Sequence, residues 1–106
     1  MRKMILFAAV AFSGFAALPI AAVADDISTC RLYSDLATTI MGARQHGIPM
    51  ADVMEVEADP SIADLRRSLI IWAYEEPRYY TEDLQRDSAV DFANEVYLAC
   101  MKAGQP

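Results

Sequence analysis

The two cysteines, Cys30 and Cys100, are the residues of this chain with the most definite chemistry. Neither belongs to a Cys-x-x-Cys pair, the usual arrangement of a redox site. An even pair in an exported chain predicts one structural disulfide. Such a bridge would stabilise the fold by roughly 4 kcal/mol, because closing so long a loop restricts the unfolded chain. Two free, buried thiols are the alternative.

The single histidine, His46, lies just before Gly47 and lacks cysteines or carboxylates at the spacing of a zinc site. A histidine in the last helical turn is typical of a capping role, since the negative end of the helix dipole favours a cation. Met41, Met50 and Met54 lie near it, and Met50 and Met54 are one helical turn apart, which leaves a copper site as an alternative. Methionines at this spacing usually belong to a core. We therefore expect no metal site and no cofactor.

Catalytic side chains are not evident in this sequence. Nucleophilic catalysis needs a serine or cysteine, a base and an orienting group. Both cysteines are assigned to the disulfide, and His46 has no evident serine partner. Carboxylate pairs are uninformative, because the chain has 15 acidic residues. We expect that the protein is not an enzyme. The serines that follow residue 24 all fall in helical or capping positions: Ser28, Ser34, Ser61, Ser68 and Ser88.

The N-terminal sequence is typical of a signal peptide. Two basic residues precede an apolar run, and Ala22-Val23-Ala24 matches the small-x-small cleavage pattern. We expect residues 1–24 to be removed, which predicts a periplasmic or secreted bacterial protein. A retained membrane anchor is the alternative, because a run of about 20 apolar residues is just long enough to span. Pro19 and the Ala-x-Ala ending favour removal.

The mature chain, residues 25–106, is short enough to form a single domain. A chain of this size buries only about 60% of its unfolded surface, so a disulfide is a useful addition. It would carry a formal charge of −8, since removal of the leader also removes Arg2 and Lys3. This charge argues against binding to nucleic acid or to anionic membrane surfaces. It is compatible with a basic protein partner and with simple solubility.

Helical periodicity organises the mature chain. Residues 28–47 predict a first helix, with Asp26 or Ser28 as its N-cap and Gly47 after its end. The residues expected to face inward are Leu32, Tyr33, Leu36, Ala37, Ile40, Met41 and Ala43.

Three further helices are predicted after Gly47. The second covers residues 48–58, with Pro49 in its first turn. The third has Asp59 as its N-cap and Pro60 at its first helical position, and it ends before Pro77. The fourth covers residues 82–102 and is capped by Thr81. Their expected inward residues are Met50, Val53, Met54, Ile62, Leu65, Leu69, Ile70, Ile71, Trp72, Ala73, Leu84, Ala89, Phe92, Ala93, Val96, Ala99 and Cys100.

These patterns predict an all-α fold: a small four-helix domain after a cleaved signal peptide, with one disulfide joining the first and last helices. No segment alternates with period two, so no sheet is expected. Joining the start of one long helix to the end of the other makes the two antiparallel or steeply crossed. Trp72 is expected to be the largest filler of the core.

A group of tyrosines and arginines is the best candidate for binding. Tyrosine and arginine are enriched in binding hot spots, and the turn between the third and fourth helices contains both. The alternative is that Tyr79 and Tyr80 cover the edge of the core while Arg78 pairs with a carboxylate. The predicted partner contacts are Arg44, Gln45, Arg78, Tyr79 and Tyr80.

Several short motifs follow one another along the mature chain: an early Cys30, Ile40-Met41-Gly42-Ala43-Arg44-Gln45-x-Gly47, Ala73-Tyr74-x-x-Pro77-x-Tyr79, Phe92 and a late Cys100. Their order resembles uncharacterised small exported helical proteins of proteobacteria and their phages. The resemblance covers most of the mature chain and implies no activity. In outline the chain is also similar to acid-stress periplasmic chaperones and to periplasmic immunity proteins of type VI effectors.

Three functional hypotheses follow from the sequence. The first is an exported module that binds or inhibits an unknown periplasmic protein. The second is an acid-responsive periplasmic chaperone. In strong acid its carboxylates would be neutral, and repulsion among the remaining cations would loosen the helices. The third is a catalytic or metal-binding role that involves His46 and Met54. The sequence predicts neither the partner nor the oligomeric state.

Overall fold

The computed structural model describes residues 20–104, with side chains from residue 26 onward. Within these residues the chain forms four α-helices and no strand, which confirms the predicted all-α, four-helix fold. A short 3₁₀ turn, Pro60–Ile62, precedes the third helix. The predicted signal peptide lies outside the described residues, except for residues 20–24, whose backbone is helical. The helices are α1, Ile20–Gln45; α2, Met50–Glu55; α3, Ala63–Glu75; and α4, Glu82–Ala103.

The two long helices, α1 and α4, form the most extensive helix pair. The predicted disulfide is present: Cys30 and Cys100 are bonded, with their Cα atoms 5.5 Å apart. At the other end of the pair, the side chain of Gln45 lies within hydrogen-bond distance of Ser88. The end of α1 therefore lies beside the first turns of α4, and the region around Cys30 lies beside the end of α4. The two helices are antiparallel, and α3 packs against α1.

The ends of the helices follow the local signals in the sequence. Asp59 accepts a hydrogen bond from the backbone N–H of Ser61 over 2.9 Å, and Thr81 accepts one from the N–H of Leu84 over 3.3 Å. The backbone hydrogen bond from Ser61 lowers the pKa of the Asp59 carboxyl below its ordinary value. Gly47 has a φ of 80°, as its predicted place after α1 requires. The predictions for Thr81 and Gly47 are confirmed, whereas Asp59 caps the short 3₁₀ turn and not the third α-helix itself.

The beginnings of the first three helices differ from the predictions. The helical backbone of α1 already begins at Ile20, so neither Asp26 nor Ser28 is its N-cap. The second helix is shorter than predicted, and Pro49 precedes it instead of lying in its first turn. The ψ of Pro49 is 141°, an extended value, and the carbonyl of Pro49 accepts a hydrogen bond from the N–H of Asp52. Pro60 begins a 3₁₀ turn, and the third α-helix starts only at Ala63.

The core lies where α1, α3 and α4 meet, and Val53 of α2 closes one side. Phe92 is the largest fully buried side chain. Trp72 is only half-buried and packs edge-on against Phe92, with ring centroids 5.0 Å apart, so the prediction that Trp72 fills the core was wrong. The other members of the buried cluster are Ala37, Ile40, Met41, Leu69, Ile70, Ala73 and Val96.

Four residues predicted to face inward are exposed, and one of them, Ile71, lies on α3 and is 40% exposed. Leu32 and Ala99 lie near the disulfide end of the long helices. The third helix has 13 residues against 26 in the first, so it covers only part of the long pair. Leu84, in the first turn of α4, lines an open cavity beside Tyr79. Burial therefore follows the length of the covering helix as well as the helical period.

Candidate functional site

The connection between α3 and α4, residues 76–81, contains three of the predicted contact residues. The third helix stops at Glu75 because Glu76 takes up an extended backbone, with ψ of 152°, directly before Pro77. Thr81 then caps the next helix. Between these two boundaries the backbone has no helical hydrogen bonds of its own, so other residues must satisfy its polar groups. We call this segment the α3–α4 loop.

Gln45, the last residue of α1, holds the backbone of the α3–α4 loop. Its Nε2 donates to the carbonyl of Pro77 over 2.9 Å and to Ser88 Oγ over 3.3 Å. Its Oε1 accepts the backbone N–H of Tyr79 over 2.8 Å. The side chain is completely buried, so the prediction that Gln45 contacts a partner does not hold. It positions the loop instead.

Arg44 also holds the loop and is half-buried. Its Nε and Nη2 both donate to the carbonyl of Glu76, over 3.2 and 3.0 Å. Its guanidinium carbon lies 5.3 Å from the ring centroid of Tyr74, a cation–π arrangement. The hydroxyl of Tyr74 donates to the carbonyl of Ile48 over 2.6 Å. Burial raises the pKa of this hydroxyl above its ordinary value, although the charge of Arg44 acts in the opposite direction.

Arg78 and Tyr80 are the exposed members of the predicted contact residues. Arg78 Nε donates to the backbone carbonyl of Gln45 over 3.1 Å, and its guanidinium carbon lies 5.3 Å from the ring centroid of Tyr80. The same guanidinium packs on Gly47, where a Cβ atom would come within 2.7 Å of Nη2. Tyr80 is 82% exposed. The loop therefore presents a cation held by its contact with the end of α1, and an aromatic ring that packs on that cation.

Tyr79 is half-buried, and its backbone is bound on both sides. Its N–H donates to Gln45, and its carbonyl accepts a hydrogen bond from Nε2 of Gln85 over 2.8 Å. Its side chain lines an open cavity of about 310 Å³ beside α4. Three carboxylates of α4 line the same cavity at intervals of four residues. This spacing is visible in the sequence, but the three residues were not among the predicted contacts. These carboxylates are Asp87, Asp91 and Glu95.

The structure thus brings all five predicted contact residues to one end of the helix bundle, opposite the disulfide. They differ in accessibility. Tyr80 and Arg78 are exposed, whereas Arg44 and Tyr79 are half-buried and Gln45 is buried. The arrangement offers a ring, a guanidinium and nearby carboxylates, which are groups suited to contact with another protein.

His46 lies just beyond the end of α1, and its Nδ1 is 2.7 Å from the carbonyl oxygen of Gly42. The ring therefore contacts one of the last carbonyls of the helix, the position that the sequence predicts. Within residues 20–104, no three histidine, cysteine, aspartate or glutamate side chains are arranged to hold a metal ion. None of the helices in the same range combines the length and apolarity that a membrane span requires.

Comparisons with protein-family models, with curated proteins and with solved structures gave no match to this chain.

Proposed function

We propose that this protein is an exported, periplasmic module that binds and inhibits a protein partner through the α3–α4 loop. The observation that carries the proposal is the exposure of Tyr80 on a loop whose backbone is held by buried Gln45. Tyrosine and arginine are enriched in binding hot spots, and a loop whose backbone is already held loses less conformational freedom on binding.

Export is supported by two independent features. The N-terminal sequence has the basic, apolar and small-residue regions of a signal peptide. The Cys30–Cys100 disulfide is of a kind that persists in oxidising compartments such as the bacterial periplasm. Mass spectrometry of protein recovered from the periplasm tests this part directly. A mass that corresponds to cleavage after Ala24 is expected, and a full-length chain retained in the cell would contradict it.

The binding test compares loop variants in a pull-down from periplasmic extract, with protein purified from the periplasm as bait. Wild type should enrich one partner across several salt concentrations. Tyr80→Ala should weaken its binding by about thirtyfold, the loss expected for a hot-spot residue. Leu32→Ala, which removes another exposed apolar side chain far from the loop, should bind as wild type.

Two results would overturn the proposal. One is the absence of any enriched partner at every salt concentration. The other is a partner whose affinity is unchanged in both Tyr80→Ala and Arg78→Ala. Tyr80→Ala should keep the wild-type melting temperature, because its side chain is exposed, whereas Arg78→Ala removes one hydrogen bond to Gln45 and should lower the melting temperature slightly without preventing folding. A loss of binding can then be assigned to the surface.

The second hypothesis, an acid-responsive chaperone, has a different experimental signature. The two ion pairs formed by described side chains, Arg31–Asp35 and Arg86–Asp83, each lie within one helix and are exposed. Acid loosening would therefore have to come from general repulsion among cations. Suppression of client aggregation by the acid-treated protein, unaffected by Tyr80→Ala, would favour the chaperone over the binding module.

A further inference from the structure

A second surface, the α1–α2 groove, lies away from the α3–α4 loop and shares no lining residue with it. It is a cleft of about 390 Å³, near the lower end of the usual size of ligand pockets. Its walls are mainly aliphatic. The apolar lining residues are Leu36, Ile40, Ala43, Ile48, Val53 and Val56.

Two of the apolar side chains that line the groove are open to solvent. Ile48 is 43% exposed and Val56 is 60% exposed, one before and one after α2. By contrast, Ile40 and Val53 at the base of the groove are buried. A bulky aliphatic group placed between Ile48 and Val56 would remove apolar surface from water on both sides, which is the main source of affinity in such contacts.

The groove is formed before any ligand arrives, because side chains of α3 fasten both ends of α2. Arg66 Nη2 donates to the carbonyl of Val53 over 2.6 Å at the end of α2. The Tyr74 hydroxyl donates to the carbonyl of Ile48 just before α2 begins. These two hydrogen bonds hold the six-residue α2 and the residue before it against α3. Little reorganisation is then needed for binding.

The charges near the groove select the kind of partner. Asp52 lines it, and Glu55 and Glu57 flank Val56 in the sequence; residues 50–59 contain no basic residue. Arg66 is the one cation among the lining residues, and its guanidinium is engaged with the carbonyl of Val53. A second copy of the mature chain would bring the same acidic segment and a formal charge of −8, so the two would repel. A basic partner complements these charges.

We propose that the α1–α2 groove binds a short basic segment of a protein partner. One aliphatic side chain of that segment lies between Ile48 and Val56, and its lysine or arginine residues face Asp52, Glu55 and Glu57. This proposal uses residues separate from the α3–α4 loop. It can hold or fail independently of the proposed function.

The test uses two synthetic amphipathic peptides with identical leucines, one with lysines and the other with glutamates at the polar positions. Each is titrated into isotope-labelled protein purified from the periplasm, and methyl and amide NMR shifts are followed. The lysine peptide should shift the signals of Ile48, Val53 and Val56 saturably, and its affinity should fall as salt rises. Tyr80→Ala should leave this binding unchanged.

A matched pair of variants locates the site. Val56→Ser removes an exposed apolar side chain of the groove and should weaken the lysine peptide about tenfold. Val90→Ser makes the same change at a similarly exposed position on α4 and should have no effect. Unchanged melting temperatures would show that both variants fold.

Several outcomes would overturn the inference. One is equal affinity for the glutamate and lysine peptides, which would mean that charge does not select the occupant. A second is equal peptide binding by Val56→Ser and Val90→Ser, and a third is a set of shifts that falls on the α3–α4 loop. The last is a change of the groove signals with protein concentration in the absence of peptide, which would identify a second copy as the occupant.

Discussion

The side-chain oxygen of Gln45 accepts the backbone N–H of Tyr79 over 2.8 Å, across 34 residues of sequence. The amide nitrogen of the same side chain donates to the carbonyl of Pro77. One fully buried glutamine therefore satisfies a donor and an acceptor of the α3–α4 loop at once. No charged side chain of similar size could do both, because a carboxylate only accepts hydrogen bonds.

Substitution of Gln45 should destabilise the protein in two distinguishable ways. Gln45→Leu keeps most of the volume but leaves Pro77 O and Tyr79 N–H without this partner, at a cost of about 2 kcal/mol. Gln45→Glu keeps the acceptor for Tyr79 but places an unpaired carboxylate beside the carbonyl of Pro77. Urea unfolding should show that the glutamate variant is less stable at neutral pH than at mildly acidic pH. A leucine variant as stable as wild type would contradict this account.

Removal of the disulfide should lower the melting temperature substantially. The bond closes a loop with a sequence separation of 70, which corresponds to roughly 4 kcal/mol in the chain-entropy model. For a domain of this size, that predicts a fall of roughly 15–30 °C in the double variant Cys30→Ser/Cys100→Ser. Circular dichroism should show helix content largely retained below the transition. An unchanged melting temperature, or two titratable thiols in native exported protein, would contradict it.

Two glycines of the same region should respond oppositely to alanine. Gly47 has a φ of 80°, and a Cβ there would lie 2.7 Å from Nη2 of Arg78, so Gly47→Ala should destabilise by more than about 1 kcal/mol. Gly42 lies within α1 with open space around its Cα. Gly42→Ala should stabilise by about 0.5–1 kcal/mol. Thermal unfolding of the two variants tests the pair. A Gly47→Ala variant that is stabilised as much as Gly42→Ala would contradict this account.

Tyr74 should make the protein sensitive to alkaline pH. Burial raises the pKa of its hydroxyl, so the folded state holds this proton more tightly than the unfolded state does. The resulting stability is fully present below the unfolded pKa of about 10 and is lost as pH rises through the folded value. The free energy of unfolding should therefore fall more between pH of about 9 and about 11 in wild type than in Tyr74→Phe. Parallel pH profiles would contradict this assignment.

The sequence predicted those features that depend on a few neighbouring residues. Thr81, Asp59 and Gly47 each act within three residues of their own position, so their roles could be predicted without knowledge of the fold. The disulfide was also predictable, because only two cysteines exist and both belong to the mature chain. The four-helix count followed from periodicity and from these boundaries.

Features that depend on distant parts of the chain were not predictable. Burial of Gln45 requires residues 77–79 to return to the end of α1, and no local pattern encodes that contact. Exposure of Leu32 reflects the limited length of α3, although Leu32 falls on the helical face predicted to be apolar. The α1–α2 groove is lined by Ile48 and Val56, which lie outside α2 because this helix covers only Met50–Glu55. The sequence had predicted both residues to be part of the helix. Each of these misses concerns packing between elements.

The helix pair α1–α4 is fastened unequally at its two ends, covalently at Cys30–Cys100 and by the hydrogen bonds of Gln45 at the other. Partial opening of the native state therefore begins at the Gln45 end, since those bonds break and reform while the disulfide does not. Backbone amides around Tyr79 should exchange with deuterium sooner than amides near Phe92 in the core. A protein bound to Tyr80 would slow this exchange, so occupancy of the loop can be measured without any label on the partner.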